Sequence, residues 1–201
     1  MSINATPLRT TAIVLGLLIS AGGAIAQGAS QQGGAQSRAD RKFVEDAAMS
    51  GAAEVQLSQI AQKNATSAQV KQFADHMVQD HEKANSELQQ IASAKGMQVP
   101  ADAGSMHEKM AEKLSKVTGP DFDKQYMSGM LADHKKVVAL FQKEAKSGTD
   151  PELKAYADKT LPTLQGHLQM AQSMQGASGG EKAVGFPDMP LTGSKATGMT
   201  K

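Results

Sequence analysis

Apolar positions return in steps of three and four through four long stretches of the chain, the spacing that lines one face of an α-helix. In the first stretch, about Ala39 to Asn64, that face reads Phe43, Ala47, Ser50, Glu54, Leu57 and Ala61. In the second, from Ser67 to about Lys95, it reads Val70, Phe73, Met77, His81, Ala84, Leu88 and Ile91. The third, Pro120 to about Lys146, carries Met127, Met130, His134, Val137, Phe141 and Ala145. The fourth opens at Pro151 and carries Leu153, Ala157, Leu161, Leu164, Leu168 and Ala171, with His167 beside the stripe. Each face is thus apolar except near its middle. There a glutamate or a histidine stands where a core residue is due.

The breaks between stretches carry helix-ending chemistry. Ala65-Thr66-Ser67 makes a tight corner with Ser67 as N-cap, and Gly96 stops the second helix. A short helix, about Ser105 to Val117, precedes the Gly119-Pro120 break. Asp150 caps the fourth helix. Pro162 lies inside it and predicts a kink or a local break.

Connection lengths set the topology. The first two helices are joined tightly, and so are the last two. About 24 residues separate the second from the third, enough to cross the bundle and restart at its far end. The expected fold is therefore all-α: a ferritin-like four-helix bundle whose long crossover contains a short helix. In that topology Glu54, His81, His134 and His167 fall within about 6 Å of one height, at 1.5 Å rise per residue. A simple up-down-up-down order spreads Glu54 and His167 by roughly 10 Å instead.

Composition agrees with helices. Aromatic residues make up 3% of the 201, tryptophan is absent, and methionine occurs 12 times. There is no cysteine, which excludes disulfides and thiolate chemistry. The net charge of +1, with no basic run and no set of stacking aromatics, argues against nucleic acid as a partner. Residues 1–26 read as a signal peptide. Arg9 supplies the positive end, Ala12–Ile19 the apolar core, and Ala24-Ile25-Ala26 a small-x-small cleavage site near Ala26. The apolar run falls short of the about 20 residues that span a bilayer. The expectation is a periplasmic or secreted protein without a membrane span, compatible with envelope association. Residues 27–37 read as a polar linker, 38–175 as the bundle, and 176–201 as a disordered tail.

The pattern Met-x-x-Asp-His occurs twice, at Met77–His81 and Met130–His134. Three readings of the mid-height groups stand side by side. In the first, Glu54, His81, His134 and His167 bind a transition metal such as iron, copper or zinc. In the second they form a metal-free hydrogen-bonded cluster that sets helix register, as in a structural or stress-related envelope protein. In the third, the Met77–His81 and Met130–His134 pairs hold Cu(I). Helical neighbours point about 100° apart, so Asp80 and Asp133 do not aim where His81 and His134 aim. They orient a histidine of an adjacent helix, or face solvent. No Gly-x-Ser-x-Gly, phosphate loop or His-Glu-x-x-His occurs, so no catalytic residues are assigned and the balance leans away from an enzyme.

Asp40-Arg41-Lys42-Phe43, Gly51-Ala52-Ala53-Glu54, Phe73-Ala74-x-x-Met77-x-x-Asp80-His81, Asp133-His134 and Leu161-Pro162-x-Leu164-x-x-His167 resemble the secreted bacterial domain-of-unknown-function family 4142. The resemblance covers about residues 38–175. It implies a ferritin-like bundle in an exported or outer-membrane protein, and no particular activity. The chain departs from ferritin-like metal enzymes, which carry Glu-x-x-His on two helices. Val78 stands three residues before His81, and Leu131 three before His134.

Overall fold

A computed structural model describes residues 37–177. The signal peptide, nearly all of the linker and residues 178–201 of the tail lie outside them. The described residues form α1 (Arg38–Asn64), α2 (Ala68–Ala94), α3 (Ser105–Ser115), α4 (Gly119–Ser147) and α5 (Pro151–Ala177), with no strand among them.

Local chemistry accounts for the ends. Ser37 Oγ accepts from the Asp40 amide at 3.0 Å and caps α1. Gly96, at φ 66°, ends α2: its amide reaches the Ser93 carbonyl, and the Met97 amide reaches Ala92 at 2.9 Å. Asp150 caps α5 by accepting from the Glu152 and Leu153 amides at 3.0 and 3.1 Å. Ser67 holds the N-cap position of α2, but its side chain makes no cap bond. The carboxylate of Asp123, on α4, takes over. It accepts from the Thr66 and Ser67 amides at 3.0 and 2.9 Å and from the Thr66 hydroxyl at 2.7 Å. Of the kink or local break expected at Pro162, the break does not occur: α5 runs unbroken through it. Pro162 and Asp158, whose carbonyl loses its amide donor, are both exposed, so water can take the freed carbonyl.

Each long helix packs against two others: α1 on α2 and α4, α5 on α4 and α2. The end-to-end contacts give directions. Asp40, at the start of α1, meets Thr149, just past the end of α4, so those two helices are antiparallel. Thr66 and Ser67, at the start of α2, meet Asp123 at the start of α4, so α2 and α4 are parallel. Phe43 and Tyr156 pack near the starts of α1 and α5, which are parallel too. This is the long-crossover order. The crossover lays α3 along α1 and α4, where the Asn64 side-chain amide donates to the Ser115 and Val117 carbonyls.

The core falls into two apolar clusters. One gathers Leu57, Phe73, Met77, Phe122, Tyr126 and Met130; the other gathers Phe43, Leu88, Phe141, Leu153, Tyr156 and Leu164. Glu54, His81, His134 and His167 lie between them in sequence along every long helix. Of the expected core-face positions, Ser50, Ala84, Ile91, Ala145, Leu161 and Leu168 are half-buried rather than buried. Gly51 and Glu144 are buried where the stripe pattern did not place them.

Candidate metal centre

The crossover brings one polar side chain from each long helix to the bundle's waist. Glu54, His81, His134 and His167 are all buried, at 1%, 4%, 0% and 0% exposure. The imidazole rings stand with centroids 5.7 Å (His81–His134), 5.3 Å (His81–His167) and 5.4 Å (His134–His167) apart. One ring nitrogen from each histidine lies within 4.8 Å of the other two.

Each ring is held from behind. His134 Nδ1–H donates to the Met130 carbonyl one turn earlier, at 3.0 Å. His167 Nε2–H donates to Asp80 Oδ2 of α2, at 2.9 Å. His81 Nδ1 stands 3.2 Å from Glu54 Oε2, and Glu54 Oε1 stands 3.2 Å from His134 Nδ1. The opposite nitrogens are His81 Nε2, His134 Nε2 and His167 Nδ1. They are buried and have no protein hydrogen-bond partner. A bond at one imidazole nitrogen fixes the tautomer and leaves the other nitrogen with its lone pair. Three buried imidazoles thus face one another at the waist, each with one ring nitrogen that has no protein partner.

The electrostatics keep two of the rings neutral. Burial pushes His81 well below the usual histidine range, and His167 and His134 add to it. Burial, then His167, lowers His134 to about 3, against a smaller opposing effect of the Met130 carbonyl. Neutral imidazole is the metal-binding form. Burial pushes Glu54 well above the usual carboxylate range, and the charge of Asp133 adds to the rise. Both Glu54 oxygens lack a well-aligned hydrogen bond. Such a carboxyl is stable as an acid, or as an anion once a cation enters beside it.

The expected site residues separate into roles by position. His81, His134 and His167 form the convergent set. Glu54 lies outside that set, against the Nδ1 atoms of two of the rings. Asp80 reaches across to a histidine of the neighbouring helix. Asp133 is 15% exposed and lies 3.5 Å from Lys136 Nζ. Met77 and Met130 are fully buried in the apolar cluster with Leu57 and Phe73, and the backbone carbonyl of Met130, rather than a side-chain contact, is what holds His134. The remaining two histidines, His76 and His107, are half-buried and lie outside this set.

Several supporting residues escaped the sequence pattern, Gly51 and Ser58 first among them. Gly51 precedes Glu54 by one turn, and a Cβ there would come within 2.0 Å of Asn85 Oδ1, so the glycine leaves the space that the Asn85 side chain fills. Ser58, one turn after Glu54, pairs with Tyr126 of α4 at 2.8 Å. Helical spacing from the mid-height groups was the available signal for both. Tyr156 and Thr160 join Glu54, His81 and Asn85 around a cavity of about 10 Å³, room for about one water.

Fold and waist together define a class: a four-helix bundle with one long crossover and a histidine-lined centre. Within that class, the chain belongs to the family described as Domain of unknown function (DUF4142), whose model matches residues 25–174. Among solved structures, a DUF305 fragment from Deinococcus radiodurans is similar, at 15% identity and a TM-score of 0.61. The match covers 70% of this chain and 97% of that one, and at this identity it speaks to the fold alone. No curated protein matches the chain.

Proposed function

We propose that this chain is an exported bundle protein that holds one transition-metal ion at His81, His134 and His167. One observation carries the reading: three buried ring nitrogens from three helices lack protein partners, while His134 and His167 are hydrogen-bonded through their other nitrogen and His81 Nδ1 lies 3.2 Å from Glu54. An unpaired buried polar atom costs free energy, and three together are costly unless a shared ligand satisfies them. Three imidazoles suit zinc, copper or iron, and three protein ligands leave a further position open. Glu54 supplies a compensating charge behind two of the rings. Export rests on Arg9, Ala12–Ile19 and Ala24-Ile25-Ala26. Among the described residues no helix is long and apolar enough to cross a membrane.

The test is metal content. The full chain is expressed, purified without chelator and analysed for metals beside a His81→Ala/His134→Ala variant. The expected result is about one ion per chain, lost in the variant while helix content is retained. No metal in either protein, and no uptake on titration with iron, copper and zinc, would leave the waist as a structural polar cluster. Met77→Leu/Met130→Leu tests the thioether route: on the three-histidine reading, Cu(I) affinity stays unchanged.

A further inference from the structure

We propose that Asp80 is the port through which a divalent cation reaches the three histidines; the inference rests on the metal-holding reading above. The ring of His167 is 0% exposed, and its Nε2–H donates to Asp80 Oδ2 at 2.9 Å. The side chain of Asp80 is itself 35% exposed. A single hydrogen bond therefore joins solvent to one ring of the buried set. The other two acids at the waist are placed differently. Glu54 is 1% exposed and sealed behind the rings. Asp133 is 15% exposed, and the Lys136 ammonium 3.5 Å away opposes the approach of a cation.

The chemistry of transfer follows from this placement. A carboxylate at the surface raises the local concentration of cations. An ion gathered at Asp80 is one side chain away from His167, whose Nδ1 has no protein partner. With the Asp80–His167 bond open, the ring would be free to offer Nδ1 to a cation held at Asp80 and, with the bond closed again, to hold it beside His81 and His134. Its Nε2–H then returns to Asp80. No bond to hydrogen is broken, and the proton on Nε2 stays there throughout. Asp80 thus does two things at different times: it attracts the ion, and it locks the loaded ring inward.

A residue that only orients His167 changes how tightly metal is held. A port changes how fast metal arrives, and does so through its charge. Asp80→Asn separates the two. The amide still offers an oxygen to the His167 N–H, while the charge is gone. Metal-free full-length chain is mixed with zinc in a stopped-flow instrument, with a chromophoric zinc indicator competing. Wild type, Asp80→Asn, Asp80→Glu and Asp133→Asn are compared at low and high salt, and circular dichroism verifies folding.

Asp80→Asn is expected to slow uptake about tenfold, keep the final zinc per chain, and lose the salt dependence of the rate. Asp80→Glu, which returns the charge, restores most of the rate, and Asp133→Asn stays within about twofold of wild type. Uptake at the wild-type rate in Asp80→Asn, equal slowing in Asp133→Asn, or no recovery in Asp80→Glu overturns the port. A wild-type chain that ends with no zinc overturns the metal-holding reading itself, and final stoichiometry reveals that separately from the rate.

Discussion

Two buried polar layers lie one helical turn apart in this bundle, and they are satisfied in opposite ways. Ser58 and Tyr126 are both 0% exposed, and their hydroxyls pair with each other at 2.8 Å. That layer is closed. It ties α1 to α4 at a fixed height and asks nothing of a ligand. The layer of Glu54, His81, His134 and His167 is equally buried. Two of its rings are hydrogen-bonded on one side, but three ring nitrogens and both Glu54 oxygens have no hydrogen-bond partner. The difference separates a polar pair completed within the fold from a set that the fold alone leaves incomplete. A closed pair completes itself within the fold. An open set keeps lone pairs in the interior without a protein partner, which costs free energy.

The largest effect that could break this comparison is metal-linked stability. Zinc at about a hundredfold its dissociation constant should raise the unfolding free energy by ~2.7 kcal/mol. In His81→Ala/His134→Ala that gain should vanish, as urea melts with and without zinc would show. Next comes Glu54. Replacing a buried, poorly bonded carboxyl by an apolar group of similar volume should stabilise the metal-free chain by about 2 kcal/mol. The same Glu54→Leu change should weaken zinc binding by ~10–100-fold, because it removes the brace behind two rings. If it instead destabilises the metal-free chain, the open layer is not strained and the contrast fails.

The closed layer should answer differently. Ser58→Ala leaves the Tyr126 hydroxyl buried without its partner and should cost about 1.5 kcal/mol. Removing both hydroxyls, with Ser58→Ala/Tyr126→Phe, should recover most of that loss in a denaturation double-mutant cycle.

The smallest effect concerns the end of the bundle, where Asp40 and Glu144 meet. Burial raises Asp40, but hydrogen bonds from the Thr149 hydroxyl and amide, Ser37 and Asp150 together bring it below its usual value. Glu144 is pushed up to about 7, first by burial and then by the neighbouring Asp40. A carboxyl raised in the folded state keeps its proton there while the unfolded chain has lost it. Its stabilising contribution is full below the ordinary glutamate value of 4.5 and is lost as pH climbs through about 7. Wild type should therefore lose stability relative to Glu144→Gln between those values, on the order of 1 kcal/mol. Asp40 works the other way, below 3.8, and does not enter this window. Paired urea melts across the range would read the difference.

Much of the architecture was legible because helices advertise themselves locally. Stripes with a step of three or four, a glycine stop at Gly96 and the aspartate cap at Asp150 act over a single turn. The about 24-residue connection had one economical route, across the bundle. Other features were not legible because they depend on neighbours from distant parts of the chain. Asp123 caps α2 from α4, which no inspection of Ser67 reveals. Pro162 does not break α5, because its freed carbonyl falls on the wet side of a well-packed helix. Glu144 is buried because Asp40 and the α4–α5 turn close over it.

The same division holds at the waist. The sequence alone determined that Glu54, His81 and His134 sit on core faces with His167 beside one, since helical period assigns a face. It also determined their common height, once the crossover was granted. Tertiary structure alone decided which nitrogen of each ring is braced and which is left open. It set Glu54 against the Nδ1 atoms and carried Asp80 across to His167 on another helix. Period fixes the direction in which a side chain leaves its own helix. Its rotamer and hydrogen-bond partner are set by the packing of helices that meet only when the chain is folded.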